Sequence, residues 1–201
     1  MKTVLVTGGA KRLGAAISRR LARSGWKVVI HYRGSASEAE ALAGEISALT
    51  IAADLVDAAA AEALPARASA LLAGPLDAVV NSASVFEYNT AATFAAEDFD
   101  RDIAVNLRAP AMIARAFAKS LSAGRSGAVV NLLDQKLWNL NADFFSYTIS
   151  KMGLEGATRL LAKALAPAVR VNAVAPGLVL PSGGQTEEEF RAVAGRYNLL
   201  K

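Results

Sequence analysis

Tyr147 and Lys151 stand four residues apart in a stretch of helical composition, which stacks them on one helix face. A phenol ionises near pH 10 and is a weak acid–base catalyst at neutrality. An ammonium beside it is expected to lower that pKa and make a usable proton donor. Taken alone, the pair also fits ordinary packing plus a surface charge. Other chemistries fall away quickly. With no cysteine, the chain has no disulfides, Cys-ligated zinc, iron–sulfur clusters or thiol nucleophiles. Its one histidine, His31, leaves a Ser-His-Asp triad or a His-based metal site hanging on a single residue, and no metal is expected.

A second chemical signal lies near the start, in Thr7-Gly8-Gly9-Ala10-Lys11-Arg12-Leu13-Gly14. Glycines after a β-branched run let backbone approach a pyrophosphate, and a following helix N-terminus offers free N–H groups. The spacing is not G-x-G-x-x-G, so a tight turn without a ligand is the competing explanation. Charge favours a small anion over nucleic acid. The balance is 22 basic against 18 acidic residues, net +4, with the cations scattered along the chain. No apolar run approaches the roughly 18 residues of a membrane span. The N-terminus runs straight into a strand pattern without a leader-like segment, so a soluble cytoplasmic protein is expected.

The 201 residues, 53% of them hydrophobic, suit one domain over 1–201. Short apolar runs alternate with helical stretches. Strands are expected at 2–7, 27–32, 49–53, 76–81, 127–133 and 169–175. Helices are expected at 12–24, 36–48, 58–72 and 145–166, with helical stretches in 97–121 and Pro110 as a boundary or kink. Pro181, Ser182, Gly183 and Gly184 read as a flexible segment, and Thr186 to Glu189 as a helix start. Such alternation gives right-handed βαβ crossovers and a doubly wound, Rossmann-like parallel sheet covered on both faces, an α/β fold.

At the end of the second strand the chain reads His31-Tyr32-Arg33-Gly34-Ser35, with no acid before Glu38. An acid there would suit the ribose hydroxyl of NAD, whereas an arginine suits the 2′-phosphate of NADP. Arg33, with Ser35 beside it, therefore favours NADPH; a solvated strand-end charge is the plain alternative. His31, at this nucleotide end, reads as a packing residue and not a catalyst.

The loop at 7–14, Asn81-Ser82-Ala83-Ser84 after the fourth strand and Tyr147-Thr148-Ile149-Ser150-Lys151 together resemble the short-chain dehydrogenase/reductase family. The resemblance spans essentially the whole chain and keeps the order of motifs. The family loop usually reads T-G-x-x-x-G-x-G; Arg12 in place of its middle glycine, and the H-Y-R-x-S run, resemble the pteridine reductase branch. The resemblance implies a cofactor site made by Gly8, Lys11, Arg12, Leu13, Gly14, Tyr32, Arg33, Ser35, Asp54, Leu55, Asn81, Ser82, Ala83, Tyr147, Lys151, Pro176 and Gly177. Asp54 also fits a turn cap.

Most members carry a serine thirteen residues before the tyrosine; here that residue is Asp134. A carboxylate cannot donate to a carbonyl oxygen, but it suits N–H groups or a protonatable ring nitrogen. That departure, shared with pteridine reductases, implies a pteridine as substrate; a turn residue is the bland alternative. Ser84 and Phe86 are implied to line the substrate site, with Phe86 stacking on the pterin or simply packing in the core. Asn106 resembles the asparagine that supports a water chain to the lysine. The expected activity is NADPH-dependent reduction of a dihydropterin, dihydromonapterin or dihydrofolate. A carbonyl reductase of the same family is the alternative, and a silent NADP sensor a lesser one. The resemblance further implies a homotetramer or dimer packed through helices around 106–121 and 145–166. It also implies more chain after Lys201, which in relatives helps close the substrate pocket.

Overall fold

The computed structural model describes residues 1–181 and 185–197, with backbone alone at 196 and 197. Ser182, Gly183 and Gly184 lie outside the described residues. Six parallel strands, β1 (Thr3–Thr7), β2 (Lys27–Tyr32), β3 (Leu49–Ala52), β4 (Ala78–Asn81), β5 (Gly127–Leu132) and β6 (Val169–Val174), form one sheet in the order β3-β2-β1-β4-β5-β6. The order reverses between β1 and β4. In open α/β sheets a ligand crevice opens at that switch point, beyond the carboxyl ends of the strands.

The strands are apolar on both faces because both faces are covered. Leu5, Val29, Val79 and Val129 turn to one side, packing with Leu64 of α3 (Ala58–Leu72) and with Ile113 and Phe117 of α5 (Ala109–Ser120). Val4, Val6, Val28 and Ile30 turn to the other, against Ala15 of α1 (Arg12–Arg23) and Leu42 of α2 (Ala36–Ile46). The long helix α6 (Phe145–Ala164) lies beside β6, and α7 (Glu187–Tyr197) begins near the expected helix start.

Two stretches differ from the pattern expectation. The region 97–121 is α4 (Ala96–Ile103), a five-residue π-helical segment Ala104–Arg108, then α5. Pro110 falls at the N-terminal end of α5, where its missing N–H costs least. A short 3₁₀ turn, Gln135–Trp138, follows β5. β4 starts at Ala78, two residues later than expected, and the Asp77 carboxylate just before it accepts from the Thr3 amide and from Arg125. No helix among the described residues is long and apolar enough to cross a membrane.

Candidate active site

Backbone geometry at the first βα junction explains the glycines. Gly8 has φ +61, and a Cβ there would sit 2.7 Å from Ala83 Cα. A Cβ on Gly14 would strike the Gly8 carbonyl oxygen. Arg12, in the place of the family's middle glycine, adopts φ +49, a left-handed conformation that disfavours side chains. The N-cap of α1, Lys11, makes no side-chain cap, so the first amides of the helix remain as anion donors.

Two adjoining cavities share this junction. One, of about 400 Å³, is lined by Gly8, Lys11, Tyr32, Arg33, Ser35, Asp54, Leu55, Ala83 and Ser84. The other, of about 640 Å³, is lined by Gly8, Arg12, Leu13, Gly14, Ser82, Phe86, Asp134, Tyr147, Lys151, Pro176 and Gly177. Their common wall makes a single elongated cleft, with cations at one end and proton-bearing groups at the other. The donor set fits a phosphorylated dinucleotide. Asp54 also acts as the turn cap, accepting from the Val56 amide at 2.9 Å. Asn81 does not line the cleft. It turns inward to Asn131, 2.8 Å away, and its Oδ1 has no partner among the described residues.

At the far end, β5 and α6 bring Asp134 and Tyr147 together. Tyr147 donates its hydroxyl proton to Asp134 Oδ2 at 2.8 Å, while Asp134 Oδ1 accepts from the Lys136 amide at 2.8 Å. The turn role and the site role of Asp134 therefore coexist on its two oxygens. Lys151 Nζ donates to the Leu132 carbonyl at 2.7 Å and lies 5.6 Å from the Tyr147 ring centroid. Burial holds the Tyr147 phenol far above its ordinary value, and the charge and hydrogen bond of Asp134 push it the same way. The expected lowering by Lys151 is thus corrected. The lysine is itself pushed down to about 8, chiefly by burial. Tyr147 is a protonated donor, not a phenolate.

Phe86 is not core packing. It is 46% exposed and lines the cavity. Its ring stacks on Phe144 at 4.0 Å and 7°, and meets Tyr147 edge-on at 4.7 Å. Asn106 sits in the π-helical segment and does not line the cleft. Its Oδ1 accepts from Ser84 Oγ and the Val85 amide, and its Nδ2 donates to Ser150 Oγ at 3.0 Å.

Four contributors escaped the sequence reading. Thr7 Oγ1 accepts from the Ser82 and Ala83 amides, tying β1 to the loop after β4. Asn89, Ser146 and Asp102 form a buried chain: Asn89 Nδ2 donates to Ser146 Oγ at 2.7 Å, and Ser146 Oγ donates to Asp102 Oδ2. Burial pushes the Asp102 carboxyl up, against the hydrogen bond from Ser146. Only Thr7 carried a local signal, its place before Gly8.

A family model described as short chain dehydrogenase matches residues 2–191. FolM alternative dihydrofolate reductase 1 from Brucella canis, complexed with NADP, is 42% identical with a TM-score of 0.94, covering 100% of this chain and 81% of that one. A short chain dehydrogenase from Burkholderia cenocepacia in complex with NADP is 35% identical with a TM-score of 0.82, over 88% and 74% of the two chains. NADPH-dependent aldehyde reductase 2, chloroplastic, from Arabidopsis thaliana is 32% identical over 89% of this chain and 72% of its own. A tyrosine and lysine one turn apart, beside a glycine-lined nucleotide cleft, are thus features of a chain that belongs to the short-chain dehydrogenase family of oxidoreductases.

Proposed function

We propose that the protein is an NADPH-dependent reductase of a pteridine: a dihydropterin, dihydromonapterin or dihydrofolate. The observation that carries it is the 2.8 Å contact between Tyr147 and the Asp134 carboxylate in the cleft. The likeness to the FolM dihydrofolate reductase supports it.

The cofactor is NADPH, which supplies the hydride. Arg33, Lys11 and the first amides of α1 are the groups that would hold its phosphates. Asp134 accepts hydrogen bonds and so orients a substrate through ring or exocyclic N–H groups. Tyr147 keeps its proton until the ring nitrogen of a C=N bond needs it, then passes it on as the neighbouring carbon is reduced. The Lys151 ammonium steadies the phenolate left behind, and solvent returns the proton. Phe86, backed by Phe144, offers flat apolar surface to a heteroaromatic ring.

Mixing the protein with NADPH and a dihydropterin should consume nicotinamide absorbance. Consumption with aldehydes or aliphatic ketones alone overturns the proposal in favour of carbonyl reduction. That second reading has its own support, the 32% identity to an aldehyde reductase. Asp134→Ser separates the two: pteridine turnover should fall about 100-fold while carbonyl reduction rises. Exposed Ile149, Met152 and Leu160 on one face of α6 support self-association, which sedimentation would test.

A further inference from the structure

His31 stands at the end of β2, 2% exposed, with a partner on each ring nitrogen. Nε2 lies 3.1 Å from the Ala53 carbonyl oxygen, and Nδ1 lies 3.1 Å from the Gly8 amide. A carbonyl only accepts, so Nε2 carries the proton and Nδ1 accepts from Gly8. The two contacts select one neutral tautomer. A protonated ring would set a donor against the Gly8 N–H, and burial opposes it, holding the pKa down to about 4.

The main chain adds a third tie, since the His31 carbonyl accepts from the Gly9 amide at 3.0 Å. One residue thus engages two successive amides of the glycine loop and also the end of β3. Ala53 leads directly into Asp54 and Leu55, which line the same cavity as Gly8, Lys11 and Arg33. The ring therefore spans the floor of the cavity from the glycine wall to the wall formed by Asp54 and Leu55. Because His31 uses the Gly8 amide, anion binding falls to the amides at the start of α1.

We propose that His31 is a positioning residue for NADPH: its imidazole ties the Gly8 amide to the Ala53 carbonyl and so sets the width of the nucleotide end of the cleft. This rests on the NADPH reading above. It assigns His31 no part in hydride or proton transfer and no contact with the 2′-phosphate.

The test uses the whole chain and nucleotide binding measured by calorimetry, for NADPH and NADH. His31→Leu removes both side-chain contacts. It should raise Kd for both nucleotides by about tenfold, in step, because a buried donor and acceptor lose their partners. At saturating NADPH, kcat should stay within about twofold, so the loss appears in KM. His31→Asn places an amide oxygen where Nδ1 was but leaves the Ala53 carbonyl without its donor, so it breaks the bridge and should raise Kd for both nucleotides by about threefold to tenfold. As the chain has one histidine, ¹⁵N-histidine labelling reports this ring alone. It should show the Nε2–H tautomer and a shift on adding NADPH. Unchanged Kd in His31→Leu overturns the proposal, as does a mixture of tautomers. A loss confined to NADPH also overturns it, because the ring would then act on the phosphate. Should His31→Leu not fold, His31→Asn decides: a Kd unchanged from the original refutes the tether. Wild-type protein that binds neither nucleotide sinks the cofactor reading first, and that result is distinct from all the variant outcomes.

Discussion

At the ends of β1, β2 and β3 the charged groups face outwards; at the ends of β4, β5 and β6 the polar groups face one another. Lys11 is 53% exposed and rests on Glu38 at 2.7 Å, a surface pair that ionic strength weakens. Tyr147, Lys151, Asp102 and Asn106 are buried, each with a hydrogen-bonded partner inside the protein. The contrast follows from the two tasks. A phosphate is attracted through charge and free amides, which tolerate motion. Proton transfer fails when a donor is displaced by an ångström, so its groups are fixed by burial. Damage at the first end should therefore appear in nucleotide affinity, and damage at the second in turnover.

Tyr147→Phe should make the sharpest division. Turnover is expected to fall by about 10³, with NADPH affinity unchanged by calorimetry. A comparable loss of affinity would erase the distinction between the ends. His31 provides the next largest effect, on stability. Its folded pKa of about 4 lies below the ordinary 6.5 chiefly because of burial; the Ala53 carbonyl favours protonation, Arg67 opposes it and Asp54 favours it. The unfolded chain takes up the proton first, so this contribution is complete above pH 6.5 and drains away as pH falls towards 4. The full drop is about 3 kcal/mol. Denaturant melts across that window should show the slope, and His31→Asn should flatten it. Arg33→Ala comes third: Kd for NADPH should rise by about tenfold to thirtyfold while NADH changes less than twofold. Equal effects would remove the phosphate assignment. Smallest is Glu38→Gln, which frees Lys11. NADPH should bind about twofold tighter at low salt, with the gain vanishing near 1 M salt.

The two ends also differ in how much of them can be read from residue order. The glycine loop, Arg33 and the six apolar runs are local patterns, and each strand appears within a few residues of its expected bounds. The pairing of Asp134 with Tyr147 is legible only through the family resemblance, whose members carry a serine thirteen residues before the tyrosine. What escaped depends on residues that only topology makes neighbours. The partners of His31 lie 23 and 22 positions away, just past β1 and just past β3. Ser146 meets Asn89 across 57 positions and Asp102 across 44. The direction of the tyrosine shift was misjudged for a related reason. A lysine one turn away is visible in a string of letters, whereas burial, the larger influence, is not.

The π-helical turn Ala104–Arg108 holds one residue more than an α-helical ladder accommodates, and Asn106 is inside it. Deleting a single residue there would let α4 and α5 join in regular register and would rotate Asn106 by about 100°. Ser84, Val85 and Ser150 would then lose their shared partner. A shortened chain of this kind should melt at a lower temperature, because buried partners of Asn106 go unpaired and Pro110 falls inside an unbroken helix, so the irregular turn anchors the Ser84 loop and accommodates the proline at once.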